Sequence, residues 1–379
     1  MDKFEKVRNE QFPLADKCVY LDTPTTGLLS KNARDRMNKY IDWRYEEAMD
    51  MYAFSDLWDH ADKMRGPVAK MIGADPEEIF FSGSGSDMLN IFSNGIELAE
   101  NANVVTSGLS FPSTPYNWMN RVGAENVRIA QPENGMVPCE KLFELVDENT
   151  AVIALCYVEN TSGWKHDIKR IGEFCRERGI YLVLDLTQCI GAVKIDVKET
   201  PVDFLVATTY KWISGLFGIS IGYASKKVLE KVNPRFVGWT GNVNRLDQSK
   251  YVLNLSPDAN RFETGSLCWI GLEGLEESVN LYLNLGIDDV NDRIAHLMDY
   301  LYKNVDGADK VELVGPFPKE NRSCISYLKL PEGKGLTDAV LRENGIRAHM
   351  ASETTMRIGL HYFNNESDID KLIEYLETL

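Results

Sequence analysis

The sequence is short of several things, and each shortage removes a class of function. Its seven cysteines (Cys18, Cys139, Cys156, Cys175, Cys189, Cys268 and Cys324) form no C-x-x-C pair, are odd in number, and in several cases sit in apolar runs. That pattern fits reduced, buried thiols in a cytoplasmic protein. The five histidines (His60, His166, His296, His349 and His361) show no metal-ligand spacing, so no zinc site is expected. No apolar stretch is long enough to span a membrane, and the start, MDKFEKVRNEQF, lacks the apolar core of a signal peptide. Positive charge is scarce: 41 Lys and Arg stand against 57 Asp and Glu, a net charge of −16. Nucleic acid and anionic membrane are therefore repelled, although a locally basic pocket for a small anion stays open. Repeats, low-complexity tracts and obvious flexible linkers are absent as well.

What is present suits two domains. In 379 residues, 44% of them hydrophobic, short apolar strands alternate with amphipathic helices, the signature of a largely parallel sheet covered by helices. Strands are expected over Glu78–Ser82, Asn103–Ser107, Ala151–Val158, Ile180–Asp185 and Val202–Ala207. In DIKRIGEFCRERGI, Ile168, Ile171, Phe174 and Cys175 share a helix face, with Gly179 as C-cap. After about residue 250 the pattern changes to a long helical stretch from Trp269 to Val305, the strands VELVG and SCISYLKL, and a final helix in SDIDKLIEYLETL. The expected division is a large domain over 15–250 and a smaller α+β domain over 251–379 that includes 1–14.

Four strand ends carry groups with chemistry. In FFSGSGSDMLN a strand runs through small residues into a helix that begins near Ser86 and Asp87. Free N–H groups there suit a phosphate, although a plain turn with Ser86 as helix cap reads the same way. The dinucleotide fingerprint fails, because Met88 stands where the third glycine belongs, and the P-loop lysine is missing. In YLVLDLTQCIG an apolar strand ends in Asp185, followed by Gln188; a functional Asp185 has to face a positive group, since a lone buried carboxylate costs several kcal/mol. VENTSG places Asn160 at another strand end, and VDFLVATTYKWISG places Thr208, Tyr210 and Lys211 beyond a third. Open parallel sheets bind ligands at that edge. A phosphate cradle, a carboxylate, an amide and a lysine together are what pyridoxal 5′-phosphate requires: the phosphate, pyridine nitrogen, phenolic oxygen and aldehyde each find a partner.

These segments resemble, in order and over nearly the whole chain, the class V aminotransferase family of fold-type I pyridoxal-phosphate enzymes, which includes cysteine desulfurases, selenocysteine lyases and isopenicillin N epimerase-like proteins. YLDTPTTGLLS is similar to the family's Y-L-D-N-A-A-T-G, VENTSG to V-S-N-x-T-G, and LVLDLTQCIG to V-D-x-x-Q-x-x-G. VDFLVATTYKWISGLFG resembles D-F-x-x-x-S-x-H-K-x-x-G-P-x-G, RFETGS resembles R-F-E-x-G-T, and MRIGLHYFNNESDID resembles V-R-I-S-x-x-Y-N-T-x-E-D-I-D. The resemblance implies an α/β fold, a large mostly parallel α/β/α domain with a smaller C-terminal α+β domain. It implies Lys211 as Schiff-base lysine and proton shuttle, Asp185 on the pyridinium, and Gln188 and Asn160 on the phenolic oxygen. Gly85, Ser86, Thr208 and Tyr210 then hold the phosphate, and Phe111 stacks on the ring. Ser266 reaches the partner subunit's phosphate in a homodimer, and Arg357 clamps the substrate α-carboxylate.

Two departures shape the activity. Phe111 stands where desulfurases have a ring-stacking histidine; its phenyl ring can stack there but cannot shuttle protons as a histidine could. The stretch NGIRAHMASETTMRIG, where desulfurases carry a catalytic cysteine, has none, and Cys268 and Cys324 lie outside it. The expectation is a β-eliminating lyase of C–S type or an aminotransferase acting on an L-amino acid by α-proton abstraction. Desulfuration through another cysteine, epimerisation and non-catalytic cofactor binding are the alternatives. Trp239, in VGWTGN, either lines the pocket or packs at the domain junction.

Overall fold

Neighbouring side chains of a strand point to opposite faces, so an unbroken apolar run is buried only between two layers of helices. The computed structural model, which describes residues 2–47, 49–247 and 249–379, has that arrangement. A short strand, β1 (Val19–Tyr20), precedes the central sheet, which is built from β2 (Ile79–Ser82), β3 (Asn103–Ser107), β4 (Val127–Ala130), β5 (Thr150–Cys156), β6 (Tyr181–Asp185), β7 (Phe204–Thr208) and β8 (Ser220–Ala224). Their order is β2-β8-β7-β6-β5-β3-β4. Only β8 runs against the others, so the remaining six end at one edge. Phe80, Val183, Phe204 and Val206 face one helical layer, which includes Gly85–Gly95 and Ser113–Val122. Phe81, Leu182, Leu184 and Leu205 face the other, which includes Met51–Ile72, Ile168–Arg178 and Trp269–Leu285.

The C-terminal region adds β9 (Glu312–Leu313), β10 (Ile325–Lys329), β11 (Ile346–Arg347), β12 (His349–Ser352) and β13 (Thr355–Gly359). An antiparallel sheet of order β12-β13-β10-β9 packs its own core of Leu328, Met356, Ile358, Leu372 and Leu376, while β11 pairs in parallel with β1. The first helix, Lys3–Gln11, is tied to this region by Arg8, which donates to the Phe363 carbonyl (2.8 Å) and to Asp368 (2.7 Å).

Two strands join those expected, and one helix is divided. β8 was not among the expected strands; a Cβ on its Gly222 would fall 2.3 Å from the Phe80 ring, so the glycine makes room for that ring. The sequence hides β4 because the strand is four residues long and carries Arg128. The single helical stretch from Trp269 to Val305 is two helices, Trp269–Leu285 and Ile287–Asp306, broken at Gly286, whose φ of 92° leaves the helical region.

One buried ion pair fixes the sheet edge. β2 lies at the end of the sheet, and its Phe81 N–H donates to Glu263 Oε1 (2.9 Å), which also pairs with Arg65 (2.8 Å). Both side chains are nearly inaccessible, 0% for Glu263 and 8% for Arg65. Removing one partner of such a pair strands the other in a dry interior. Glu263→Ala is expected to lose about 3–5 kcal/mol of stability, read from urea unfolding followed by circular dichroism.

Candidate active site

Because the parallel strands end together, the residues after them meet. Gly85, Ser86, Phe111, Asn160, Asp185, Gln188, Thr208, Tyr210 and Lys211 all line one cavity of about 330 Å³ at the sheet edge. Ser266 is exposed and Arg357 lies beyond the cavity; neither lines it. Trp239 is also outside, packed against Phe54 and Trp58 in an aromatic cluster.

The helix Gly85–Gly95 starts one residue earlier than Ser86, and its cap is Ser84, whose hydroxyl accepts the Asp87 N–H (3.1 Å). Gly85 and Ser86 therefore keep first-turn N–H groups with no intrahelical acceptor, aimed with the positive end of the helix dipole. Their helix stands over β7: a Cβ on Gly85 lies 3.5 Å from Thr208. The Ser86 and Ser113 hydroxyls, 2.7 Å apart, add polar groups at the same end.

Asp185 closes β6. Burial pushes its carboxyl up, while the Thr187 hydroxyl and N–H (2.8 Å) and the nearby Lys211 charge pull against that. Lys211 moves the other way, because burial disfavours its charged form and outweighs the attraction of Asp185, leaving a pKa of about 8. Its backbone is held by the segment YLDTPTTG: Gly27 N–H donates to the Tyr210 carbonyl (2.9 Å), and a Cβ on Gly27 falls 1.9 Å from the Lys211 carbonyl oxygen. Only glycine permits that approach. Tyr210 stacks on Phe217, with ring centroids 3.8 Å apart.

Gln188 and Asn160 form a polar chain that the sequence did not show. Trp212 Nε1 donates to Gln188 Oε1 (3.0 Å), and Gln188 Nε2 donates to the Pro24 carbonyl (3.1 Å) and to Asn160 Oδ1 (2.6 Å). Both hydrogens of Gln188 are thus used, and the amide N–H₂ left for a ligand is that of Asn160. Arg357 donates to the same Asn160 Oδ1 (2.8 Å), to Asp22 Oδ1 (3.3 Å) and to Thr25. Asp22 and Thr25 were legible only as part of the YLDTPTTG segment, and Trp212 only as the neighbour of Lys211.

Metal ligation also looks different in three dimensions. His60, Glu273 and Glu276 converge within 4.8 Å, which their spacing concealed. Arg36 already pairs with both carboxylates, and hydrogen bonds to them raise the His60 pKa to about 9. The cluster is an internally neutralised ionic knot with a protonated imidazole.

The donor set fits pyridoxal 5′-phosphate. A buried carboxylate with no ion-pair partner within 4 Å among the described residues lines the cavity together with a dehydrated amine and unpaired helix N–H groups. The class-V aminotransferase family model matches residues 19–372. The chain belongs to the class-V aminotransferase family. Enzymes of this family depend on pyridoxal phosphate. The chain is 27% identical to a probable cysteine desulfurase of Methanothermobacter thermautotrophicus, covering 99% of this chain and 98% of that one. A structure of the cystine C–S lyase C-DES with its product cysteine persulfide superposes with a TM-score of 0.88 at 17% identity, covering 97% and 99% of the two chains. Cysteine desulfurase from Thermococcus onnurineus NA1 superposes at 0.84 with 20% identity, covering 100% and 98%. This class-V chain therefore has the expected fold, with its central sheet and smaller C-terminal sheet.

The Lys211 pKa makes a direct prediction. Below about pH 8 the amine is protonated and cannot attack an aldehyde; above it the amine is free. The rate at which cofactor-free protein gains visible absorbance on adding pyridoxal phosphate is expected to rise about tenfold per pH unit below 8 and level off above it.

Proposed function

We propose that the chain is a homodimeric C–S lyase that eliminates the sulfur substituent of an S-substituted L-cysteine, such as L-cystine. The observation that carries this reading is the stretch Asn344–Gly359. It holds no cysteine, yet Lys211, Asp185 and Arg357 are all in place. The buried cysteines do not supply a replacement thiolate: burial pushes the thiols of Cys156, which lines the cavity, and of Cys189 and Cys324 far up. The likeness to C-DES, a cystine C–S lyase whose reaction product is cysteine persulfide, points the same way.

Bound pyridoxal phosphate supplies an aldehyde that captures the substrate amine and a ring that acidifies the Cα–H. The chain does the rest. Gly85, Ser86, Thr208 and Tyr210 hold the phosphate, Asp185 keeps a proton on the ring nitrogen, and Phe111 covers the ring face. Asn160 donates to the phenolic oxygen, and Gln188 keeps Asn160 in position. Arg357 takes the α-carboxylate in place of its present contacts, and the Lys211 Nζ removes the Cα proton. Ser266 is exposed, as are the apolar residues Phe236, Val237, Tyr251, Val252 and Leu253, which a second copy would cover as Ser266 reaches that copy's phosphate. We assign residues 15–250 to the large domain and 251–379, with 1–14, to the small one, and place the enzyme in the cytoplasm.

With L-cystine, elimination consumes water and yields pyruvate, ammonia and cysteine persulfide. Pyruvate and sulfane sulfur are expected in equal amounts; a keto acid that retains its sulfur would assign an aminotransferase instead. Lys211→Ala is expected to lose the visible absorbance of bound cofactor and all turnover, with an unchanged circular dichroism spectrum. A second reading rests on Cys268, whose Sγ lies 3.6 Å from where a Cβ on the cavity residue Gly218 would be. A protein-bound persulfide trapped by alkylation, and lost in Cys268→Ala, would move the assignment to a desulfurase.

A further inference from the structure

Three side chains stand in a row on the face of the small sheet that meets the active site. Arg357 of β13 lies directly opposite Tyr327 of β10 on one side and His349 of β12 on the other. Residues so paired share a face, with Cβ atoms about 5 Å apart. Tyr327 donates to the Asn160 carbonyl (2.6 Å) and Arg357 to the Asn160 side chain (2.8 Å), so the row borders the place where a substrate carboxylate binds. His349 extends it by one strand, partly exposed.

That histidine is oriented. Asp338, the first residue of the helix Asp338–Glu343, meets His349 Nδ1 at 3.0 Å and accepts the Met350 N–H at 2.7 Å. Partial burial pushes the Asp338 carboxyl up, but Met350, His349 and, farther off, Arg357 outweigh it and hold the group below the usual carboxylate range. A carboxylate only accepts, so Nδ1 carries its hydrogen toward Asp338 and Nε2 is the working nitrogen. Among the described residues nothing hydrogen-bonds to Nε2.

We infer that His349, oriented by Asp338, donates a proton from Nε2 to the departing sulfur of the substrate. The inference rests on the lyase reading and deepens it. As Lys211 takes the Cα proton, that C–H electron pair becomes the Cα=Cβ bond. The Cβ–S bond breaks with its pair going to sulfur, and the imidazolium proton completes the thiol or hydropersulfide; water then reprotonates Nε2. A thiol on this stretch attacks sulfur as a nucleophile, whereas an imidazolium only protonates it, which directs the same frame to elimination.

The test compares leaving groups. S-ethyl-L-cysteine releases a basic thiolate that needs a proton; β-chloro-L-alanine releases chloride, which needs none. In the pyridoxal-phosphate-loaded protein, His349→Gln is expected to cut kcat for pyruvate release from S-ethylcysteine about a hundredfold, while the rate with β-chloroalanine barely moves. Asp338→Asn is expected to show the same selective loss in milder form. Calorimetric affinity for L-alanine, which fills the carboxylate clamp and has no leaving group, is expected to match wild type, as is the melting temperature. Undiminished release from S-ethylcysteine, or an equal fall with both substrates, overturns the role of His349 and leaves the lyase reading standing. A wild-type protein that releases no pyruvate even from β-chloroalanine overturns both.

Discussion

Asn160 Oδ1 accepts from Gln188 on one side and Arg357 on the other, and through that oxygen the end of the central sheet is joined to the small sheet. The backbone makes the junction possible. Gly163, three residues on, has φ +79°, and a Cβ there would fall 2.3 Å from the Ile325 carbonyl oxygen at the start of β10. Both the dihedral and the approach exclude a side chain. With the turn pressed this close, Ser323 donates to the Gly163 carbonyl (2.7 Å) and Tyr327 to the Asn160 carbonyl (2.6 Å). The turn that carries Asn160 is therefore held stiffly against the start of β10, beside Arg357. Substrate placement inherits that stiffness.

The central-sheet half of the site was legible because a buried parallel strand announces its own end. Apolar runs such as YLVLD and FLVAT stop abruptly at a polar group, and parallel strands deliver those groups to a common edge. Asp185, Asn160, Lys211 and Gly85 all follow from that rule. The half built on the smaller sheet obeys no such rule. Its sheet is antiparallel, so which residues share a face depends on register, and nothing local in HMAS or ISYLK says that His349 and Tyr327 flank Arg357. Asp22 and Arg357 are 335 residues apart, and His60 meets Glu273 and Glu276 only because Met51–Ile72 packs on Trp269–Leu285. Gly222 shows the same limit. Its absent side chain serves a ring on the neighbouring strand, a contact invisible from its own segment.

The cysteines complete the picture by where they are. Cys156 sits beside Asp185 in the β5–β6 register, its Sγ accepting the Phe111 N–H at 3.4 Å, and Cys324 hydrogen-bonds the Gln188 carbonyl at 3.3 Å. Both act as small core residues that fill space next to the polar chain. Burial disfavours the thiolate at both, and at Cys156 the Glu159 and Asp185 carboxylates add like charge, so both thiols are held in their neutral form. Sulfur chemistry at this site then falls to the sulfur of the substrate.

Asp185 and Lys211 are pushed in opposite directions by the same cause. Burial raises the acid and lowers the base, so each is biased toward its neutral form, and each offsets part of the bias on the other. A pair of this kind adds little to stability, because desolvation consumes most of the attraction. Its placement makes sense for a ligand that carries a positive ring nitrogen to the acid and an electrophile to the base. Such a ligand relieves both at once: the carboxylate gains a cation, and the amine is wanted uncharged. The six co-directional strands bring the two groups to one cavity, and the glycine contact at Gly27 fixes the lysine backbone there. The residues at this edge are thus organised for a cofactor more than for the resting fold, while the Arg65–Glu263 pair and the two-layered core supply the stability that the edge does not.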